Sequence, residues 1–349
     1  ITINPDLVSY DFTKPQKGRI TITIEEGEQY FLGSVEVEGA SIFTDQELLG
    51  LLKLKNKDGL VYSPSLVDAW AREIEDFYSS RGYLETRVFA DKKSNLENRQ
   101  IDVVFKIKES EKYYLESISI EGNTKTQQKV IIRELALKPG DVFDYKRMQS
   151  SEQRLKNTAF FDEVRLRPEA TNIPGRKNLN VLVSESRTGS FSFGAGFGSV
   201  RSTQFFLEMK QSNFDINDWE SGFQGAGQKF RARIAIGNLS SQALIGFEEP
   251  WLFEQRLTFG TNIYATESEY NSSDYNEKRT GLELYIRRRL FELVEAKLSY
   301  KYEMVDIYDV AFLGDLTTPD NIADVFQTAV GEQSVSKIGL TILRDNRDS

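Results

Sequence analysis

Tyr30-Phe31-Leu32-Gly33-Ser34-Val35-Glu36-Val37-Glu38-Gly39 and Tyr114-Leu115-Glu116-Ser117-Ile118-Ser119-Ile120-Glu121-Gly122-Asn123 decide the fold, because each alternates apolar with polar residues and then breaks at glycine. Alternation with period two running into a glycine is a strand followed by a turn, and Ile118 and Ile120 stand where Val35 and Val37 stand in the first stretch. The likeness of the two copies extends past the turn. Thr44-Asp45-Gln46-Glu47 has the capping-box pattern, in which a Thr hydroxyl and a Glu carboxylate satisfy backbone N–H groups orphaned at a helix start. Leu48, Leu51 and Leu52 then supply an apolar stripe. In the second copy Thr126 is the expected N-cap, Ile131 and Leu135 carry the stripe, and Lys138-Pro139-Gly140-Asp141 stops the helix.

A longer helix is predicted next in each copy. Ser63 is the expected cap with Pro64 at the first helical position, Leu66, Trp70, Ile74 and Phe77 share a face, and Gly82 ends it. In the second copy Asp144 caps, Met148, Ser151 and Leu155 share a face, and the helix runs out near Asn157. Two strands close each copy, at 85–91 and 100–108 and again at 163–168 and 178–185. The order is therefore β-α-α-β-β, an α+β module occupying 30–110 and repeated over 111–187. Residues 1–29 hold a segment near Leu7–Phe12, breakers from Lys14 to Gly18, and the alternation Ile20-Thr21-Ile22-Thr23-Ile24, as expected for the C-terminal part of a preceding module.

From Gly189 helical spacing disappears. Lys229-Phe230-Arg231-Ala232-Arg233-Ile234-Ala235-Ile236 puts apolar side chains opposite charged ones, and Val294 to Glu303 does the same. Eight such segments are predicted, at 189–198, 203–211, 229–236, 242–248, 256–264, 280–287, 294–303 and 335–343. Soluble sandwiches alternate too, so periodicity alone leaves both open. Three features point to a membrane barrel: long segments, aromatics near segment ends, and linkers of alternating length. The aromatics are Trp219, Trp251, Phe253, Tyr264, Tyr270 and Tyr275. Asn238-Leu239 and Phe291-Glu292 are short linkers, whereas 268–278 and 306–332 are long. Leu257 joins Phe259 and Ile263 on one outward face, and Phe230, Ile234, Ile245, Phe247, Phe259, Leu282 and Leu284 are the predicted lipid-facing residues.

Composition narrows the chemistry. The 349 residues include no Cys and no His, which removes thiolate nucleophiles, imidazole bases, disulfides and Cys/His metal sites. A net charge of -9 without a basic stripe argues against nucleic acid. No window approaches the roughly 18 apolar residues of a spanning helix, so a membrane protein of this sequence crosses as a barrel. Glu248-Glu249 reads as interfacial or loop charge, and Asp306, Asp309, Asp315, Asp320 and Asp324 lack EF-hand spacing and read as solvated. No catalytic residue, metal or cofactor is expected.

Gly122-Asn123-Thr124, Val130 to Leu135 with Arg133-Glu134, Pro139-Gly140-Asp141, and Arg154-Leu155 with Phe160 to Val164 occur in that order. The set resembles the POTRA modules of BamA-type outer-membrane-protein assembly factors. Gly189-Ser190-Phe191-Ser192-Phe193-Gly194-Ala195-Gly196-Phe197-Gly198, Asn213-Phe214, Glu249-Pro250-Trp251-Leu252-Phe253 and Leu340 to Asp348 are similar to stretches of that family's barrel. One departure is Asp215-Ile216-Asn217-Asp218-Trp219-Glu220-Ser221-Gly222, where the family is Gly-rich. The resemblance implies α+β POTRA repeats followed by an all-β antiparallel transmembrane barrel, with 188–349 forming about half of sixteen strands.

It implies further a Gram-negative outer-membrane protein with periplasmic N-terminal modules, whose partners are unfolded outer-membrane β-barrel proteins, periplasmic accessory lipoproteins and outer-membrane lipid. Residues 189–198 would be the first strand of a lateral gate that pairs with clients. A TamA-like or two-partner-secretion transporter of the same superfamily is the nearest alternative, and a passive pore or receptor the next. Ile1 without a Met or signal peptide, and a polar turn after Arg344, are expected of an internal piece of a longer chain.

Overall fold

A computed structural model describes residues 2–14, 17–25, 28–52, 59–198, 202–269, 275–291, 293–308 and 330–346. Tyr270, Glu292, Asp309, Asp315, Asp320, Asp324, the turn after Asn346 and the side chain of Phe197 lie outside the described residues. Two compact units divide the chain: Ile1–Ile118 with Ala136–Ser150 and Pro168–Leu179, and Ser119–Leu135 with Ser151–Arg167 and Asn180–Ser349.

The first unit starts with an antiparallel pair, β1 (Thr2–Lys14) and β2 (Lys17–Glu25). Then come β3 (Phe31–Glu38), α1 (Asp45–Leu51), α2 (Pro64–Ser79), β4 (Arg87–Asn95) and β5 (Gln100–Lys108), in the predicted order. The sheet runs β3-β5-β4, with β3 parallel to β5 and β4 antiparallel to it. The two helices and β4 intervene between β3 and β5, the long crossover that a parallel pairing needs. The apolar faces of the helices cover the sheet: Leu48, Val67, Ile74, Tyr78, Val103 and Phe105 are fully buried, each aliphatic side chain worth about 1.5–3 kcal/mol of burial.

Local signals worked unevenly here. The capping box forms, Glu47 N–H donating to Thr44 Oγ1 at 3.3 Å and Thr44 N–H to Glu47 Oε2 at 3.0 Å. Ser63 occupies the N-cap of α2, but its hydroxyl bonds Ser65 rather than the helix backbone. The buried face of α2 is Val67, Trp70, Ile74 and Tyr78, so Leu66 and Phe77 flank the core rather than fill it. Phe77 instead carries the Arg81 guanidinium 3.5 Å above its ring. Gly39 has φ +87, and a Cβ there would crowd the Ile107 carbonyl. Beyond it, Glu109 accepts from the Ser41 and Ile42 amides at 2.9 and 3.0 Å and from Tyr78 Oη at 2.7 Å.

The second module repeats this with β6 (Tyr114–Glu121), α3 (Gln128–Ile132), α4 (Tyr145–Asn157), β7 (Phe161–Ala170) and β8 (Arg176–Glu185), its sheet ordered β6-β8-β7. Asp144 caps α4, accepting from Arg147 N–H at 3.1 Å, and Met148, Ser151 and Leu155 are buried as predicted. Thr126 is not the cap of α3. That place is taken by Gln127, without a side-chain bond, and the helix is a bare five residues.

The second unit carries an eight-stranded antiparallel meander: β9 (Gly189–Gly198), β10 (Ser202–Phe214), β11 (Gln228–Gly237), β12 (Ser240–Glu249), β13 (Thr258–Glu269), β14 (Asn276–Phe291), β15 (Val294–Tyr308) and β16 (Gly331–Arg344), each paired with the next. Leu257 precedes β13 and sits in a turn with Leu252, not on the strand. Linker length does not sort the two ends. Asn238-Leu239 lies with the long connections after β13 and β15, while the end nearest Gly189 holds the turns after β10, β12 and β14.

Candidate functional site: the first wall strand and the joint at its foot

Directly opposed residues of an antiparallel pair share a face, so the registers assign every side chain of the meander. One face carries Phe191, Phe193, Leu207, Ile234, Ile245, Ile263, Leu284, Tyr300 and Ile338 across successive strands. The predicted set Phe230, Ile234, Ile245, Phe247, Phe259, Leu282 and Leu284 falls on that face throughout. Its large apolar side chains are exposed, Phe193 at 80% and Ile338 at 79%.

The other face is charged and internally bonded. Glu208 accepts from Arg231 at 2.6 Å, Glu283 from Lys297 at 2.8 Å, and Glu303, almost fully buried, from Lys301 and Tyr264 at 2.7 Å each. Glu248 binds Lys229, Arg287 and the Tyr285 hydroxyl, all at 2.9 Å. Glu248 is therefore part of a strand network and not an interfacial or loop charge, while Glu249, on the opposite face, accepts from Gln228 and from Trp251 N–H at the β12 end. Tyr264 corrects a second expectation: it points to the charged face, its ring over Gly281, and is no interfacial aromatic. Tyr285 covers Gly260 in the same way from the partner strand.

β9 stands at one margin of the meander and bonds β10 through all ten residues, Gly189, Ser190, Phe191, Ser192, Phe193, Gly194, Ala195, Gly196, Phe197 and Gly198. Its opposite edge pairs with no strand among the described residues. Glycine within a strand contributes no packing and more unfolded-state entropy. A ring from Phe206 lies against Gly194, but Gly196 faces open space.

At the foot of β9 the last module meets the turn 215–227. Asn213 Nδ2 donates to Thr126 Oγ1 at 2.9 Å, both buried, and Gln127 Nε2 donates to the buried Asp215 carboxylate at 2.6 Å. This is the role of Thr126 that its cap-like position concealed. Gln127 N–H donates to Gly225 O at 3.0 Å, an approach that needs glycine, because a Cβ on Gly225 (φ +125) would strike the Lys125 carbonyl. A Cβ on Gly227 (φ +75) would strike the Arg133 guanidinium.

Arg133 lies 5.4 Å from the Trp251 ring centre, with Arg256 at 5.3 Å. Burial pulls the Arg133 pKa down against the pull of Glu134 and Glu249. Trp251 is thus a half-buried member of the joint. Glu134 faces Arg256 at 4.0 Å.

The remaining motif residues hold the module itself. Gly122 has φ +91 and no room for a Cβ beside the Val183 carbonyl, and Asn123 Nδ2 donates to Thr126 O at 3.0 Å. Gly140 (φ +92) donates its N–H to Leu115 O at 2.7 Å, and Asp141 accepts from Lys138 N–H at 3.0 Å in the turn after Pro139. Sequence reasoning missed Glu185. It accepts from the amides of Lys125 and Thr126 at 3.0 and 2.6 Å and from the Thr124 hydroxyl, as Glu109 does in the first module. Burial pushes the Glu185 carboxyl up, but these donors outweigh it and hold it below the usual carboxylate range. The signal was the acid that closes the last strand of both copies. Among the described residues no acidic cluster is built to hold a metal ion.

Repeated β-α-α-β-β modules feeding an antiparallel wall with one oily and one charged face define an outer-membrane β-barrel protein with periplasmic modules. The POTRA family model, described as a surface antigen variable number repeat, matches residues 30–110 and 113–186, and that of the Omp85 superfamily domain matches 222–349. The chain belongs to the Omp85 superfamily, with its POTRA region periplasmic and its Omp85 part in the outer membrane.

It is 24% identical over 332 residues to the outer membrane protein assembly factor BamA of Nitratidesulfovibrio vulgaris, covering 95% of this chain and 40% of the relative. It is 28% identical over 253 residues to a putative outer membrane protein assembly factor of Treponema pallidum, covering 71% and 29%. The crystal structure of Haemophilus ducreyi BamA lacking POTRA domains 1–3 shares the fold with TM-score 0.72 at 19% identity, over 91% of this chain and 60% of that one. The chain thus spans 40% or less of the length of these two curated relatives.

Proposed function

We propose that this chain is part of the central subunit of an outer-membrane β-barrel assembly machinery, which binds unfolded outer-membrane proteins by β-augmentation and catalyses their folding and insertion through a lateral gate. In this reading residues 1–29 end one POTRA module, 30–110 and 111–187 are two more, and 188–349 is the first half of the barrel, its oily face meeting lipid. Accessory periplasmic lipoproteins dock on the modules.

The observation that carries the reading is β9: a glycine-rich strand next to the last module, bonded on one edge to β10, with its other edge free of any described strand. Backbone donors and acceptors on such an edge accept extended peptides of many sequences. The names of the curated relatives support the same role.

Cysteines placed singly at Ser190, Ser192 and Ala195 of the full-length protein should form disulfides with single cysteines along the terminal strand of a stalled client, at one preferred register. A TamA-like or two-partner-secretion transporter, and a passive pore or receptor, predict no such crosslink to barrel clients, and its absence at every register excludes the gate.

A further inference from the structure

The turn after β10 packs against the wall as well as against the last module. Phe214, Phe223, Phe230 and Phe247 form one aromatic chain: Phe214 stacks on Phe230 at 5.0 Å and on Phe223 at 5.8 Å and meets Phe247 edge-on at 6.3 Å. Phe230 and Phe247 lie on the oily face, so the turn is continuous with the lipid-facing wall. Phe223 is held at φ +60, a left-handed conformation that a non-glycine residue adopts at a cost. Between this turn and the foot of β9 lies a hollow of ≈ 550 Å³, lined by Gly189, Phe191, Met209, Phe214, Phe223 and Phe230. That is within the roughly 300–1,000 Å³ of small-ligand clefts.

Gln211 lines the same hollow. It is 6% exposed, lies on the oily face opposite Gly189 and Phe230, and its Oε1 is buried without a hydrogen-bond partner. A buried acceptor left unpaired is destabilising, and a bound donor would relieve that cost. The tip of the turn meanwhile holds Trp219, 72% exposed, with Ile216 half-exposed beside it. Indole prefers the headgroup level of a bilayer, where one end of the ring is dry and the other wet.

We propose that the hollow at the foot of β9 is a binding site for a phospholipid of the periplasmic leaflet. One acyl chain lies among Phe191, Met209, Phe223 and Phe230, a headgroup or glycerol donor reaches Gln211, and Trp219 rests in the headgroup layer. The occupant is lipid rather than peptide because the rings and thioether that line the hollow, Phe191, Met209 and Phe230, belong to the oily face, whereas an added strand takes the edge. The site rests on the outward direction of that face and not on client pairing.

The test is photolabelling of the full-length protein in phosphatidylethanolamine–phosphatidylglycerol vesicles containing a trace of phosphatidylethanolamine with a diazirine on its acyl chain. Labelled residues are mapped by mass spectrometry. Labelling at Met209 and Phe223 should exceed that at Ile338 and Leu340 several-fold. A Met209→Trp variant, which fills the hollow at a half-exposed position, should abolish that excess while leaving Ile338 labelled.

Equal labelling of hollow and wall means annular lipid only and overturns the site, as does excess labelling by a client peptide carrying the diazirine in place of lipid. Label at neither Met209 nor Ile338 overturns both the site and the lipid-facing wall. Client crosslinking at Ser190 is read separately, so the site can fail while the gate stands.

Discussion

Replacing Gly122 and Gly140 one at a time by Ala separates two costs that the sequence motif merges. Both glycines have φ near +90, at +91 and +92. A left-handed L-residue costs about 1–2 kcal/mol, offset by about 0.4–1 kcal/mol from the lost chain entropy of glycine. Gly140 has open space where a Cβ would go, so Gly140→Ala should cost about 1 kcal/mol or less.

At Gly122 the same Cβ overlaps the Val183 carbonyl, and the backbone must part. One or two backbone hydrogen bonds at about 1 kcal/mol each, with a carbonyl left unpaired, bring Gly122→Ala to about 3 kcal/mol. The difference of about 2 kcal/mol is roughly a thirty-fold rise in local opening. Hydrogen exchange of peptides across 113–186 in the full protein reads it directly. Equal protection in the two variants would refute the view that close approach, rather than conformation, fixes glycine at Gly122.

The Glu185 carboxyl is held below its ordinary pKa, so its stabilisation is present above about pH 4.3 and is lost as pH falls through the folded value. Glu185→Gln should therefore destabilise the module at pH 7, with the gap in urea midpoint closing as pH drops below 4. Ile245→Arg, at an exposed place on the oily face, should cost roughly 2–4 kcal/mol of folding into lipid vesicles if the site lies near mid-bilayer. Lys229→Ala on the charged face should cost less, and similar losses would overturn the assignment of faces. Gly227→Ala should weaken exchange protection at the Gln127 amide, because its Cβ meets Arg133. Adding Arg133→Ala should restore part of it, and no recovery would mean that the φ of +75 alone decides.

Much of the fold could be read from the residues because two periodicities carry it. Thr44 and Glu47 report their helix start wholly from local spacing, and the meander strands report their faces from alternation alone. On α2 spacing finds Trp70 and Ile74, but Leu66 and Phe77 obey it as well as Val67 and Tyr78 do, and only the sheet beneath decides between them. Tyr264 looked interfacial because sequence cannot tell an aromatic near a strand end from one covering a glycine on the neighbouring strand. Thr126, Gln127 and Asp215 meet across 80 or more residues of chain, beyond any local pattern. Glu185 escaped for the same reason, its partners lying about 60 residues earlier.

Tyr264 and Tyr285 lie over glycines of each other's strand, at positions directly opposed in the register. Each ring works as a peg: a one-residue slip would swing it to the wrong side of the sheet, and a two-residue slip would drive it into a side chain. Their hydroxyls reach on to Glu303 of β15 and Glu248 of β12, so four strands are cross-braced against sliding. No such brace reaches Gly196. The middle of the wall is therefore braced across four strands, whereas the one ring lying over a β9 glycine, Phe206 on Gly194, has no hydroxyl to reach a further strand and pins β9 to β10 alone.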